Sequence, residues 1–340
     1  MARPEWGSDV LATFVELAAL PSPPGEERAV ADRVLDYLAA LGLEADEDDA
    51  GAKVGSTMGN VYCRLEPTGG AGEPLFFCAH LDTVLPEAAI QPVVGEDEVV
   101  RNAAGTILGA DVFDESRLAA RLGYVYDHAG PIGEIILGAP HQQKLDVRFH
   151  GRAAHAGMFP EDGRSAIAAA ARAIADLRLG RLDEETSANV GRIQGGTARN
   201  VVPEWCEFAA EARSHDERKL ADLIREMLET VTFAASLEEC EVETQVSGVS
   251  PGYRFRRDDP PVRIAAAALE RVGREPSYIF SGGGADANVF NQRGLQCVNL
   301  ANGMTDIHTP DERIAVADLH EMVDVTLALV EAAGEVDGAA

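Results

Sequence analysis

Lysine is nearly absent from this 340-residue sequence: Lys53, Lys144 and Lys219 are the only three, and arginine supplies the rest of 29 basic side chains set against 57 acidic ones. The formal charge of −28 argues against nucleic acid as a partner, because a phosphate backbone needs a basic footprint. It equally disfavours an anionic membrane surface. No run approaches the roughly 20 apolar residues that a bilayer-spanning helix requires. The opening Met-Ala-Arg-Pro-Glu-Trp lacks the charged-then-apolar order of a secretory leader. Cysteine is sparse too. Cys63, Cys78, Cys206, Cys240 and Cys297 are scattered, odd in number and include no Cys-x-x-Cys pair. They read as buried thiols, without a disulfide framework or thiolate metal site, and point to a reducing, cytoplasmic location.

What is present is enough chain for about two domains. Residues 10–20 and 26–43 carry apolar positions at helical spacing, separated by Pro21, Pro23, Pro24 and Gly25. Residues 60–65 read as a strand, and the apolar run 74–79 suits a strand buried on both faces of a helix-covered parallel sheet. Residues 132–137 form another expected strand. From about 140 the pattern changes: strands at 144–150, 189–193, 204–213 and 240–246 interleave with helices at 165–177 and 217–234. That β-α-β-β-α-β order is the ferredoxin-like split βαβ arrangement, expected as an α+β domain over 140–249 inserted into a discontinuous α/β domain of 1–139 and 250–340. In the final segment, helices are expected at 261–272, from 287 and over 315–333, and strands at 278–280 and 296–300. Thr309, Pro310 and Glu312 have the composition of an N-cap, first turn and capping box, so a helix is also expected to start there.

Several acids and histidines fall at strand ends, where open α/β sheets bind ligands. His80 and Asp82 follow the run at 74–79, and their i, i+2 spacing points both side chains one way. One could ligate a metal while the other orients the imidazole, although a hydrogen-bonded loop pair has the same look. Asp111 ends Ile-Leu-Gly-Ala-Asp and reads equally as a helix cap. Asp127 ends Gly-Tyr-Val-Tyr-Asp, and His308 follows the strand at 296–300. Two histidines and three carboxylates are a nitrogen–oxygen donor set of the kind zinc accepts.

Taken together, His-Leu-Asp-Thr-Val at 80–84, Gly-Ala-Asp at 109–111, Gly-Tyr-Val-Tyr-Asp at 123–127 and Asp-Ile-His-Thr at 306–309 resemble the peptidase T-like branch of the two-zinc metallopeptidase family. That family also holds aminoacylases, succinyl-diaminopimelate desuccinylase and glutamate carboxypeptidases. Further matching segments are 151–157, 195–203, 211–214 and 281–288, in the family's order along nearly the whole chain. The resemblance implies a three-layer α/β catalytic domain with a lid and dimerisation domain, two zinc ions per chain, a homodimer, and a short peptide or N-acyl amino acid as substrate. By position His80 and Asp127 would bind one zinc, His308 the other, and Asp111 would bridge them, with Asp82 orienting His80. His155 would hydrogen-bond the oxyanion in the neighbouring subunit's site. Asn200, Arg213 and Gly282, Gly283 and Gly284 would contact substrate backbone or carboxylate. Read without the resemblance, His155 is a strand-end histidine, Arg213 half of an ion pair, and the glycines a turn.

One part of the family pattern is missing. After Gly-Ala-Asp the family continues with a helix and a strand ending in Glu-Glu, the general base and a zinc ligand. Here Asp111 runs directly into Val-Phe-Asp-Glu-Ser-Arg-Leu, and only 127 − 111 = 16 positions separate Asp111 from Asp127. By ordinary element lengths about 40 residues are absent. Asp114-Glu115 has the setting of a solvated helix start, not of that buried pair. The expectation is therefore a chain of peptidase design with impaired activity. The alternatives are a non-catalytic dimeric scaffold binding peptide or one metal, and a hydrolase of the N-acyl amino acid or glutamate carboxypeptidase type. A phosphate-loop reading of 281–286 lacks the Walker lysine and the Gly-x-Gly-x-x-Gly context.

Overall fold

The computed structural model describes residues 7–67, 72–83, 92–95, 97–101, 118, 120–307, 309 and 311–335. Helices α1 (Gly7–Ala18) and α2 (Arg28–Ala40) are followed by β1 (Ala45–Glu47), α3 (Ala50–Val54), β2 (Val61–Cys63), β3 (Leu75–Cys78), β4 (Val93–Val94) and β5 (Val99–Arg101). Then come β6 (Leu122–His128), β7 (Glu134–Ala139), β8 (His141–His150), β9 (Ala154–His155), α4 (Ala166–Asp176), β10 (Gly180–Arg181) and β11 (Thr186–Gly195). The chain continues through β12 (Val201–Val202), β13 (Trp205–Ser214), α5 (Glu217–Leu237), β14 (Glu241–Ser250) and β15 (Tyr253–Arg254). It closes with α6 (Pro260–Arg271), β16 (Ser277–Phe280), α7 (Asp286–Gln292), β17 (Gln296–Ala301), β18 (Arg313–Ala315) and α8 (Val316–Glu335). Packing separates two units, one within Met1–Leu137, Phe255–Phe280 and Ala285–Ala340, the other Gly138–Arg254 with Ser281–Gly284. Among the described residues no helix is long and apolar enough to cross a membrane.

The first unit is organised on a sheet with the order β15-β7-β17-β6-β3, in which β16 also pairs with β7. Strands β3 and β17 both run parallel to β6, whereas β7 is antiparallel to β17. Parallel strands end on one edge, so the carboxyl ends of β3, β6 and β17 lie side by side. Tyr124, Ile135, Val298 and Leu300 pack against Val262 and Ile264 of α6 and Val325 and Leu329 of α8 in one buried cluster. The Tyr124 hydroxyl donates to the Pro261 carbonyl at 2.8 Å, so its one polar atom is satisfied. Each such side chain contributes about 1.5–3 kcal/mol on burial. Helix α7 packs on β17 and β6, and its Phe290 ring meets Phe76 of β3 at 5.0 Å.

The second unit is the expected split βαβ arrangement: an antiparallel sheet in the order β10-β11-β13-β8-β14 with α4 and α5 on one face. Alternation decides the faces. Leu145, Val147 and Phe149 of β8 join Phe208, Ala210, Leu223 and Met227 in the core, while Lys144, Asp146 and Arg148 are exposed. Ser165 caps α4 by accepting from the Ala168 N–H, and Asp216 caps α5 by accepting from Arg218 and Lys219.

Two local expectations fail. No helix begins at Thr309: its hydroxyl closes a turn onto the Asp306 carbonyl, and Arg313–Ala315 become β18, laddered to β5. Long-range pairing with residues 99–101 overrides the local capping pattern, and α8 starts only at Val316. Likewise, among the described residues β3 ends the path of its sheet, and Phe77 is 40% exposed while Phe76 is buried, so the cover these residues give the run 74–79 lies mainly on one side. An unbroken apolar run records the hydrophobicity of both faces, but not whether each finds a cover.

Candidate functional site

The parallel ladder between β3 and β6 sets the site. Phe76 pairs with Gly123 and Cys78 with Val125, and just past the end of that ladder His80 feels the charge of Asp127 on β6. His80 Nδ1 lies 3.0 Å from the Asp82 carbonyl oxygen and 3.2 Å from Asp82 Oδ1. That contact holds the ring and leaves Nε2 open, as a carboxylate or carbonyl on the other ring nitrogen does for a metal-binding histidine. Asp82 is itself buried, with its side chain 4% exposed.

The electrostatics of this corner are dominated by carboxylates. Burial alone would lower the His80 pKa, but the hydrogen bond to Asp82 and the charges of Asp286, Asp82 and Asp127 prevail, raising it to about 9. Burial, reinforced by Asp286, pushes the Cys78 thiol far above its usual range, and its Sγ lies 3.9 Å from Asp286 Oδ2. His128 goes the other way, lowered by burial despite Glu134 and Asp127. Asp286, the first residue of α7, is thus a member of the cluster that sequence reasoning passed over, because it reads as the end of the glycine loop.

Asp111 and His308 lie outside the described residues. Among the described residues no three His, Cys, Asp or Glu side chains are arranged to hold a metal ion. The donors that are described nevertheless fit a divalent cation in chemistry. The His80 imidazole touches the Asp82 carboxylate and feels the charges of Asp286 and Asp127, a nitrogen and oxygen donor chemistry that suits a divalent cation.

The other candidates belong to the second unit. His155, in β9, is exposed, and its Nδ1 accepts from the N–H groups of Gly157 and Met158, each at 3.2 Å. A neutral ring held this way carries its proton on Nε2, which makes His155 an outward donor. The Asn200 carbonyl accepts from the Ala156 N–H, tying the two loops together. Arg213 grips both oxygens of Glu211 at 3.1 Å, and its Nη1 donates to the Gly282 carbonyl at 3.2 Å. Gln142 braces Glu211 from β8. Arg213 and the glycine loop therefore meet, through a carbonyl and not through the loop amides. Gly283 and Gly284 continue that loop, with the Gly283 N–H donating to Ser281 Oγ.

Comparison with known proteins sets these observations in context. A family model described as a peptidase dimerisation domain matches residues 142–236. The uncharacterized protein YqjE of Bacillus subtilis is 32% identical over 367 residues, covering 96% of this chain and 98% of the relative. That span exceeds the chain's own 340 residues; at 96% coverage about 326 of them are aligned, so about 41 aligned positions face a gap here. The structure of aminopeptidase PepT from Bacillus cereus superposes with a TM-score of 0.85 at 33% identity, covering 97% of this chain and 99% of that one. A tripeptidase from Staphylococcus aureus superposes with a TM-score of 0.90 at 28% identity, covering 96% and 98%.

Proposed function

The chain belongs to the M20 peptidase family, and from that premise we propose that it is a zinc-dependent peptidase of peptidase T type whose own activity is impaired. Its substrates are short peptides, cleaved at the N-terminal peptide bond, and it works in the cytoplasm as a homodimer joined through the second unit. The observation that carries this reading is the contact between His80 and the buried Asp82 at the carboxyl end of β3, under the charges of Asp127 and Asp286.

His80 and Asp127 would hold one ion, His308 a second, and Asp111 would bridge the two. Zinc, when bound, supplies a Lewis acid and an activated water at neutral pH. Asp82 keeps the His80 ring turned with Nε2 toward the ion. His155 donates its Nε2 proton as a hydrogen bond to the carbonyl oxygen of substrate bound to the neighbouring subunit, where negative charge develops. Asn200, Arg213 and the Gly282–Gly284 loop take the peptide backbone or its carboxylate, and the Glu211 contact holds the Arg213 fork in one orientation.

Impairment follows from the missing segment. The alignment with YqjE carries about 41 gap positions in all, a total equal to the one helix and one strand that the sequence pattern leaves out after Asp111. With that segment go the general base, whose removal costs about 10²–10⁴ in rate, and one zinc ligand. A scaffold that binds peptide or a single ion without hydrolysis is the competing reading, and the same gap favours it. Counting bound metal by native mass spectrometry separates them. Two zinc ions per chain support the enzyme reading; one or none supports the scaffold. A monomer in light scattering would contradict the dimer.

A further inference from the structure

We propose that Asn299 is a positioning residue for Asp127, fixing the direction in which that carboxylate leaves β6; this rests on the reading of Asp127 as a metal ligand. Asn299 is 2% exposed, an amide enclosed in a strand whose neighbours Cys297, Val298, Leu300 and Ala301 are all buried and apolar. A polar group there is retained only where it is fully paired. Its Oδ1 accepts from the Asp127 N–H at 2.9 Å, and its Nδ2 donates to the Asp127 carbonyl at 2.8 Å.

These are the two bonds that a facing residue exchanges in an antiparallel ladder, supplied here by a side chain. They fall where the β17–β6 ladder shifts register between Asn299 and Ala301, so the amide replaces main-chain pairing at the point where it lapses. In an extended strand the N–H and C=O of one residue lie in the sheet plane and point toward the same neighbouring strand, while the side chain stands perpendicular to that plane. Gripping both groups therefore fixes the plane, and with it the Cα–Cβ direction of Asp127. A second amide continues the grip: Asn302 Nδ2 donates to the Tyr126 carbonyl at 2.8 Å, and its Oδ1 accepts from the Met304 N–H.

Asparagine is the residue that does this at that reach. Aspartate would set an oxygen against the Asp127 carbonyl, leucine offers neither donor nor acceptor, and glutamine adds a methylene where Asn299 packs level with buried Ile136.

The test compares the wild-type chain, Asn299→Leu, and Leu329→Ala, a buried change on α8 that controls for lost stability. Zinc affinity is measured by chelator competition and exchange of the Asp127 amide by NMR. Asn299→Leu should weaken zinc binding about 10–100-fold and speed Asp127 exchange at least about tenfold beyond Tyr124 and Val125. Leu329→Ala should leave zinc affinity within about twofold. Unchanged zinc affinity in Asn299→Leu, or an equal loss in both variants, would overturn the proposal. If the leucine variant does not fold, Asn299→Ser, which keeps one hydroxyl, is put through the same comparison. A wild-type chain that binds no zinc removes the metal reading itself, and the positioning role with it; that result is seen before any variant is measured.

Discussion

Replacing Asp82 with asparagine should flatten the pH dependence of stability in the metal-free protein. His80 is held at about 9, against 6.5 for an ordinary histidine, with burial opposing the shift and Asp82, Asp286 and Asp127 producing it. At about 1.4 kcal/mol per pH unit, a difference of that size corresponds to roughly 3 kcal/mol of stability. The sign follows from the folded state holding the proton more tightly. The contribution is complete below the unfolded value near 6.5 and is lost as pH rises through about 9. His128 and His215, both lowered by burial, act in the opposite sense, with stability lost as pH falls through their range. In the alkaline window the Cys78 and Cys297 thiols of the same unit, both raised by burial, also cost stability as pH rises into the ordinary thiol range, so the difference between wild type and Asp82→Asn is what reports His80. The measurement is urea denaturation with chelator present, at several pH values from 6 to 9.5, read by quenched labelling of Cys297. That thiol is buried in the same unit and reports its opening, with the unfolded chain's labelling rate as reference at each pH. Wild type should lose at least about 3 kcal/mol across the window, and Asp82→Asn clearly less. A flat wild-type profile, or the same loss in both proteins, would refute the reasoning.

Three further outcomes follow from the same structure. Zinc bound at neutral pH must displace the His80 proton, so calorimetry in buffers of different ionisation enthalpy should show about one proton released per ion; no buffer dependence would contradict the ring of carboxylates around His80. Asp216→Ala removes the acceptor for the Arg218 and Lys219 amides at the start of α5 and should cost the second unit about 1 kcal/mol in urea denaturation. Gly151→Ala places a Cβ 2.0 Å from the Arg164 carbonyl oxygen, a backbone atom that cannot turn aside. A loss of about 1–3 kcal/mol is expected, and a neutral variant would show that the two segments can separate without cost.

Much of this molecule was legible in its sequence because the relevant signals are local. Alternation along residues 144–150 and 204–213 gave the second unit its strands, and His80 and Asp127, acids or histidines after apolar runs, fall at the carboxyl ends of β3 and β6 in the first. What stayed hidden depends on pairing across long stretches of chain. Asn299 looks like any polar interruption of an apolar strand until its partner, Asp127, is seen 172 residues away. Asp286 reads as the tail of a glycine loop, and only the fold turns it toward Cys78 and His80. Thr309 and Glu312 carry good capping chemistry, yet three residues of β18 gain a ladder with β5 that a helix would forfeit. The partner that holds Arg213, Glu211 two positions away on the same face of β13, was open to the sequence only as an unspecified ion pair.

The most direct measurement is tripeptide hydrolysis by the purified, zinc-supplemented chain beside the Bacillus cereus aminopeptidase PepT, whose fold it shares. Loss of the base and one ligand predicts turnover at least about 10²-fold lower than that enzyme's. Comparable turnover would contradict it, and would mean that the residues present assemble a complete catalytic centre.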